Sequence, residues 1–394
     1  MPQHRIKASF MRGGTSKAVM FRQSDLPRDR AEWDDIFLSL MGSPDPNGRQ
    51  LDGMGGGVSS LSKVCVIGPS SRPDADVDYT FAQISIRDAS VDYSANCGNM
   101  SSAIGPFAVE EGLAKAPRDG EAVVRIHNTN TAKIIVSRFT MTDGLAEVDG
   151  DLALDGVAGT ASSIRLEFTD PGGTRTGKLL PTDHAVDTLK LPGGATIQAS
   201  MVDAANPCVF VRASDVGKKG TELPDALEGD RAFLERMEAI RCAASVAMGI
   251  APDAKSANAI PSIPKVAMVC APQDMPTLSG RTTAAADMAI GVRMISVGQP
   301  HRAVPITGSL SLAIATRIAG SIPNQLARKA AGPIAIAHPS GRTLVDAKVD
   351  HADDPARAHA EYAAVYRTAR RLFEGEVLYR PRNVVNAAMR TAAE

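Results

Sequence analysis

Two polar, glycine-bearing stretches carry the side chains best suited to proton transfer. The run LDGMGGGVSSLSK at 51–63 ends in Lys63, which opens the β-rich run VCVIG. An amine in that position can act as a general base if the apolar strand partly desolvates it. Cys97 stands in NCGN at the predicted start of a helix, a setting that favours an accessible thiolate. Each residue has an ordinary structural alternative, a lysine with its amine in water and a buried, unreactive thiol.

Further polar groups stand where they could bind carboxylates. MRGGTSK at 11–17 is typical of a carboxylate clamp or of a solvated hairpin turn. A second elbow at 307–309 leads into LSLAIATRIAG, and the polar turn HPSG lies at 338–341. An elbow before a helix presents unpaired N–H groups and the positive end of the helix dipole to an anion. The candidate binding residues are Arg12, Thr15, Ser16, Lys17, Ser60, Ser62, Asn96, Gly98, Asn99, Asn206, Thr307, Gly308, Ser309, His338 and Ser340.

Composition narrows the classes of function. In 394 residues, 43 Lys and Arg nearly cancel 44 Asp and Glu, which disfavours nucleic acid and anionic membranes as partners. Five cysteines without a CxxC fit neither a disulfide framework nor a zinc site and indicate a reducing cytoplasm. The chain starts without an apolar signal core, and no stretch approaches the roughly 20 apolar residues of a membrane span. Walker, GxGxxG and HExxH patterns are missing, so we expect no nucleotide, dinucleotide or metal cofactor.

These groups must be positioned by strands and a few helices. Short β-rich runs recur from RIKASFMR at 5–12 through LAEVDGDLAL at 145–154 to PCVFVRAS at 207–214, and strands dominate the first half. The clearest helical pattern covers 226–249, with apolar residues three and four apart and a closing glycine. An α+β fold is expected. The Gly/Thr/Pro-rich stretch 170–183 predicts a boundary between two domains, 1–182 and 183–394.

The motifs together resemble one family over nearly the whole chain. MRGGTSK, LDGMGG with SSLSK through Lys63, NCGN, HNTNTAK at 127–133, ANPCVFV at 205–211 and HPSG look like the 2-methylaconitate cis-trans isomerases. That family also contains 3-methylitaconate Δ-isomerases, 4-oxalomesaconate tautomerases and aconitate isomerases. The HNTNT, ANPC and RTARR segments are most similar to the methylitaconate isomerase branch.

The resemblance implies a diaminopimelate-epimerase-like fold. Such a fold has two pseudo-symmetric halves, each a β-barrel-like sheet around a central helix, here with a strand near 376–386 crossing back to the first half. It implies that Lys63 and Cys97 transfer the proton in a cofactor-independent isomerase of a small unsaturated di- or tricarboxylic acid. Which residue is acid and which is base stays open, as does the substrate.

Two other functions remain as hypotheses. An amino-acid epimerase on this fold would use two opposed cysteines, and the elbow at 307–309 has none. A non-enzymatic alternative is an accessory protein that assists a partner dehydratase. A homo-oligomer is compatible with either function.

Overall fold

Alternating polar and apolar side chains form a series of hydrogen-bonded strands along the chain. The computed structural model describes residues 3–380. Its strands are β1 His4–Gly13, β2 Ser16–Arg22, β3 Lys63–Pro69, β4 Val77–Ile84, β5 Val91–Asp92, β6 Gly120–Asn128, β7 Lys133–Thr142, β8 Leu145–Ala146, β9 Leu152–Ala153, β10 Thr160–Ala161, β11 Ile164–Thr169, β12 Asp187–Lys190, β13 Thr196–Ala204, β14 Asn206–Arg212, β15 Lys265–Cys270, β16 Met275–Pro276, β17 Thr282–Thr283, β18 Ile290–Ser296, β19 Gln299–Pro300, β20 Ile334–His338, β21 Gly341–Asp350, β22 His359–Arg367 and β23 Ala369–Tyr379.

Helices are fewer and lie between groups of strands. They are α1 Trp33–Met41, α2 Ser101–Glu110, α3 Pro224–Glu228, α4 Arg231–Ala247, α5 Ala254–Asn258, α6 Ile306–Arg317 and α7 Ile322–Leu326. The expected α+β class is confirmed. The strongest helical pattern forms α4, whose first turn is capped by the Asp230 carboxylate accepting from the Phe233 N–H at 3.0 Å. Among residues 3–380, every helix is too short or too polar to cross a membrane.

The described residues form two units. Unit one comprises the described part of Met1–Leu166 and Arg367–Glu394, and unit two is Glu167–Tyr366. This border precedes the expected boundary at 182/183. The loop at 174–176 is bound within unit two, because the buried Asp203 carboxylate accepts hydrogen bonds from Thr174 Oγ1 at 2.6 Å and from the N–H groups of Arg175 and Thr176.

Unit one is built on a hairpin and a buried helix. The β1–β2 hairpin is followed by β3, parallel to β2, and by β4, antiparallel to β3. The β6–β7 hairpin then adds β6 parallel to β4. Between β4 and β6 the chain forms α2, whose residues Ser101 to Ala108 are all buried. The small Gly105 lets α2 approach β7, since a Cβ there would lie 2.6 Å from Ser137 Oγ.

The strand expected near 376–386 falls partly outside the described residues. Residues 381–386 are not among them, and β23 ends at Tyr379. Up to that residue β23 pairs antiparallel with β1 in unit one.

Unit two repeats the same order of elements. The β13–β14 hairpin is followed by β15, parallel to β14, and by β18, antiparallel to β15. The β20–β21 hairpin adds β20 parallel to β18, and the buried helix α6 lies between β18 and β20. The helix α4 takes the place of α1 and packs its apolar side chains on the sheet. The expected two similar halves, each with a central helix, are therefore confirmed.

Candidate active site

Lys63 is the first residue of β3 and is buried, with 7% of its surface exposed. Its Nζ donates a hydrogen bond to Oε1 of Gln83, the residue directly opposite on β4. The same atom lies 5.0 Å from the centre of the Phe81 ring. No carboxylate among residues 3–380 forms an ion pair with this amine. Its position is therefore set by a neutral amide and an aromatic face.

Two glutamines support the loop that leads to Lys63. The Gln83 amide donates to the carbonyls of Ser59 at 3.0 Å and Ser62 at 2.8 Å, and so joins β4 to the one-turn 3-10 helix at 59–61. The buried Gln50 donates to Ser62 Oγ at 2.7 Å and accepts from the Gly57 N–H at 3.0 Å. These bonds order the Gly/Ser-rich run by its polar neighbours, since glycines alone would leave it mobile.

Cys97 is half-buried and lies four residues before α2. Its carbonyl accepts hydrogen bonds from the N–H of Ser101 at 2.9 Å and from Ser101 Oγ at 3.1 Å, so the turn before the helix is fixed. The backbone N–H groups of Gly98, Asn99 and Met100 have no acceptor within residues 3–380. Three successive donors at the start of a helix are suited to an anionic oxygen.

Lys63 and Cys97 both influence the pKa of a buried thiol, that of Cys65. Cys65 is fully buried; burial, followed by the nearby Cys97, raises its pKa, whereas Lys63 lowers it. Its sulfur lies 3.8 Å from the Tyr79 hydroxyl. Coulombic effects weaken with distance, and β4, the partner strand of β3, is joined to the loop before Cys97 by the Asn130 amide. The two predicted catalytic residues therefore lie in the same part of unit one.

The MRGGTSK turn packs directly on the NCGN elbow. A Cβ on Gly13 would lie 2.8 Å from the Asn99 carbonyl oxygen, and one on Gly14, at φ +51°, would lie 2.3 Å from Asn99 Oδ1. The Asn99 amide donates to Thr15 Oγ1 at 3.2 Å. Only glycines permit this approach, so the structure brings together two motifs that lie 84 residues apart in sequence.

The remaining residues of MRGGTSK differ in their surroundings. Arg12 Nη1 donates to the carbonyls of Gly14 and Thr368 and to Thr368 Oγ1, at 2.9–3.0 Å. Burial, and then the charge of Arg370, lowers the Arg12 pKa. Nε and Nη2 of Arg12 make no hydrogen bond within the described chain. Ser16 is buried, and Lys17 Nζ lies 5.5 Å from the Phe10 ring centre.

The two serines of the SSLSK run take different positions. Ser60 is partly exposed, and its hydroxyl has no partner in the described part of the chain. Ser62 is fully buried and donates to the Ile84 carbonyl at 3.0 Å while accepting from Gln50. The Ser62 hydroxyl is thus engaged inside the loop.

A network of asparagine side chains fixes the NCGN elbow that carries Cys97. Asn96 Oδ1 accepts from Ser101 Oγ at 3.3 Å and from the Asn128 amide at 3.4 Å. The Asn130 amide donates to the carbonyls of Phe81 at 2.8 Å and Tyr93 at 2.7 Å. The HNTNT motif therefore connects β4, which pairs with the strand that begins at Lys63, to the loop that carries Cys97.

The other candidates lie in unit two, in the first turn of α6 and at the β13–β14 and β20–β21 turns. The elbow expected before this helix is wrong in position: α6 begins at Ile306, so Thr307, Gly308 and Ser309 form its first turn. Pro305 is the residue before the helix, and its carbonyl accepts the Ser309 N–H at 2.8 Å. Ser309 already bonds the Ile306 carbonyl at 2.7 Å, and a Cβ on Gly308 would lie 2.6 Å from Met294 Sδ.

The HPSG turn connects β20 to β21 as a tight hairpin. His338 is buried; its Nδ1 accepts the Ser340 N–H at 3.2 Å, so Nε2 carries the proton toward Thr343 Oγ1 at 3.0 Å. Ser340 Oγ donates to the Arg302 carbonyl at 2.6 Å, which joins this hairpin to the segment before α6. Asn206 donates to the Pro207 carbonyl at 3.1 Å, at the β13–β14 turn.

Sequence reasoning missed the residues that position Lys63 and Cys97. Gln83 is a polar side chain in the otherwise apolar alternation YTFAQI, and that interruption was its available signal. Gln50 gave none, because its partners Gly57 and Ser62 are set by how the loop folds, and Thr368 gave none, because it bonds Arg12 from 356 residues away. Residues 3–380 contain no cluster of three or more His, Cys, Asp or Glu arranged to hold a metal ion.

Known proteins are similar to this chain in sequence and in fold over nearly their full length. The 3-methylitaconate isomerase of Eubacterium barkeri is 42% identical over 379 residues, 95% of this chain and 97% of that protein. The 2-methyl-aconitate isomerase of Cupriavidus necator is 40% identical over 392 residues, 96% and 98% of the two chains. A crystal structure of methylitaconate-delta-isomerase is similar with a TM-score of 0.88 at 41% identity, covering 96% of each chain.

The match to a family extends over the same range. Residues 3–380 match the family described as PrpF protein, which is nearly the whole chain. With relatives named as isomerases at about these identities, the reaction class follows. The chain belongs to the PrpF family and is an isomerase.

Proposed function

We propose that this isomerase shifts a double bond, or interconverts cis and trans forms, in a small unsaturated di- or tricarboxylic acid. Methylitaconate and 2-methylaconitate are the first candidates, from the names of its relatives. The observation that supports this most is local. Lys63 bonds Gln83 on β4, the Asn130 amide joins β4 to the loop before Cys97, and three unpartnered N–H groups follow that cysteine.

The reaction needs one base and one acid. In its neutral form, the Lys63 amine takes the proton from a carbon that is both allylic and next to a carboxylate. The electron pair of the broken C–H bond enters the conjugated system and gives a dienolate. Cys97 then donates its thiol proton to the far carbon, and the double bond moves. The ammonium and the thiolate return to their starting forms by proton exchange with water.

The N–H groups of Gly98, Asn99 and Met100 supply the electrostatic part. Charge accumulates on the carboxylate oxygens as the dienolate forms, and fixed donors stabilise that charge without having to reorganise. The turn that holds them is already ordered by Ser101 and by the packing of Gly13 against Asn99. Donor groups that are fixed before the substrate arrives are those that lower the barrier.

Deuterium exchange tests the role of Lys63. The purified protein is incubated in deuterium oxide with methylitaconate, 2-methylaconitate, aconitate and 4-oxalomesaconate, and proton NMR follows exchange and isomer formation. We expect exchange with at least one acid and its loss by roughly 10²–10⁴-fold in Lys63→Met, as for removal of a general base. Lys115→Met, an exposed lysine of unit one, is the matched control. Exchange that persists in Lys63→Met excludes this residue as the base.

The Cys97→Ser variant tests which residue removes the proton and which one returns it. If Cys97 only returns the proton, this variant still exchanges deuterium at the carbon that Lys63 deprotonates but forms little isomer. Loss of exchange with retained Lys63 would instead assign proton removal to Cys97. A wild-type protein that exchanges none of the four acids would contradict the proposal and favour the accessory role.

A further inference from the structure

A second lysine-centred cluster lies within unit two. Lys265 is the first residue of β15 and is half-buried, and its Nζ donates to Ser296 Oγ on β18 at 2.7 Å. Cys208 is its neighbour across the parallel β14–β15 pair. Burial, and then the Lys265 charge, lowers the pKa of His301, so the imidazole lies within electrostatic reach of the amine.

This cluster occupies the position that Lys63 has in unit one. Both lysines open a strand that runs parallel to the second strand of a hairpin. Both donate to the side chain opposite on the next antiparallel strand, Gln83 in one unit and Ser296 in the other. The register Val266↔Ile295 places Lys265 opposite Ser296, as Lys63 is opposite Gln83. The fold thus presents an amine at the same place twice.

The charge of Lys265 is not balanced by the described residues. Within residues 3–380 no carboxylate forms an ion pair with it, and Ser296 is a neutral acceptor. Burial raises the pKa of Cys208 to about 11, so this thiol stays protonated at neutral pH and adds no negative charge. Burial also lowers the pKa of Lys265 itself, because the charged ammonium loses hydration that no carboxylate replaces.

A second polar atom is left without a partner in the segment that runs along β18, where Ser296 lies opposite Gln299. His301 Nε2 is buried and makes no hydrogen bond. The backbone of His301 is fixed, since its N–H donates to the Met294 carbonyl at 2.8 Å. Buried ring nitrogens in native proteins are nearly always satisfied by protein, water or ligand. An uncompensated cation and an unpartnered imidazole nitrogen together call for an anion that accepts hydrogen bonds from both.

We propose that Lys265 and His301 form an anion-binding site in unit two that takes a carboxylate group of a small organic acid. The Lys265 ammonium pairs with one carboxylate oxygen, and the His301 Nε2–H donates to the carboxylate. The choice of a carboxylate over another anion rests on the proposed function. The site itself rests on the charge and hydrogen-bond balance of unit two.

Imidazole NMR with glutarate, a dicarboxylate that cannot isomerise, tests the site. The His301 ring nitrogen signals are assigned by their absence in His301→Gln, and glutarate is titrated into the full chain. We expect a saturable shift of these signals in wild type and in Lys255→Met, an exposed lysine of the same unit. Lys265→Met should weaken the affinity read from this shift by roughly 10- to 100-fold, while Lys265→Arg should retain most of it.

Several outcomes would overturn the site. An unchanged His301 signal in wild type at saturating glutarate would do so, and this measurement does not depend on whether any variant folds. An equal affinity in Lys265→Met, or a response to sulfate with none to glutarate, would also contradict it. The titration repeated in Lys63→Met separates the two proposals, since His301 should respond there although deuterium exchange is lost.

Discussion

At the scale of single residues, Gln83 determines where the Lys63 amine lies. Its carbonyl oxygen accepts from Nζ, and its amide group donates to two carbonyls of the turn before β3. One side chain therefore fixes both the amine and the loop that carries it. Because Gln83 acts through Lys63 and not on the substrate, it is a positioning residue.

Substitution of Gln83 should affect turnover more than folding. In Gln83→Met we expect kcat to fall by roughly tenfold with a smaller change in KM, since the amine loses its fixed acceptor. In Gln83→Glu the pH at which activity rises should move upward, because a carboxylate beside the amine stabilises its ammonium form. Steady-state kinetics across pH, with urea unfolding as the stability control, measure both. A pH profile that is the same in Gln83→Glu and wild type would contradict this role.

The sequence indicated the reactive residue types but not their partners. Lys63 after a Gly/Ser run and Cys97 between asparagines were visible because the motif surrounds each one. Gln83 is 20 residues from Lys63 in sequence. It reaches Lys63 only in the observed strand register, because a shift of one residue would move the Gln83 side chain to the other face of the sheet. Cross-strand partners therefore became identifiable only from the fold.

At the scale of elements, the site depends on the contact between one turn and one elbow. Gly13 and Gly14 lie against Asn99, two residues after Cys97. Any side chain added to the turn must displace the elbow that presents the thiol and the free N–H groups. Added β-carbons at Gly13 and Gly14 would occupy space that Asn99 of the elbow already fills.

Paired glycine substitutions test this contact. Gly14→Ala and Gly144→Ala both place alanine at positive φ, +51° and +84°, and each should cost roughly 1–2 kcal/mol of stability. Only Gly14→Ala meets an atom, Asn99 Oδ1 at 2.3 Å, whereas Gly144 has open space around it. We expect isomerase activity to fall by more than about tenfold in Gly14→Ala alone. Equal activity in the two variants would show that the contact does not matter.

The prediction of elements succeeded where side chains alternate cleanly and failed where charges intervene. RIKASFMR forms most of β1, but LAEVDGDLAL yields only the two-residue strands β8 and β9. The segment Asp149-Gly150-Asp151 separates them, and such residues are depleted in strands. The start of α6 was misplaced because Thr, Gly and Ser suggested a loop, while Pro305 was the stronger signal.

At the scale of the whole molecule, each unit contains aspartates that are stabilised in their charged form. The bond with Arg125 lowers the pKa of Asp76 in unit one despite partial burial. In unit two the Lys218 amine, 2.7 Å away, lowers the pKa of Asp230. A lowered folded-state pKa contributes stability that is complete above the unfolded value near 4 and is lost as pH falls through the folded value.

Acid unfolding should therefore depend on these carboxylates. Asp76→Asn and Asp230→Asn should each lose less free energy of unfolding than wild type between pH 5 and pH 2.5, because the titrating group is gone. Asp353→Asn, which removes a carboxylate with no bond or ion pair in residues 3–380, should follow wild type. Urea unfolding at the two pH values gives the comparison. Parallel losses in all four proteins would contradict the assignment.

The repeat of two units was not visible as a sequence period, yet it governs the fold. Corresponding strands and helices share order and direction, but their loops differ in length, so no fixed spacing appears in the sequence. The lysines at 63 and 265 became comparable only once the strand pairings were known. The resemblance to a family, and not the pattern of residues, led to the expectation of two similar halves.

The internal repeat also has a consequence for how this chain can evolve. In a dimer of identical halves, every mutation appears twice, and reactive groups must come in matched pairs. A single chain that carries two copies of one unit can change either copy alone. Cys97 precedes α2, whereas residues 301–309 around the start of α6 contain no cysteine. Duplication within one polypeptide thus allows Cys97 to stand in one unit without a counterpart in the other, while both units keep a lysine as the first residue of the corresponding strand.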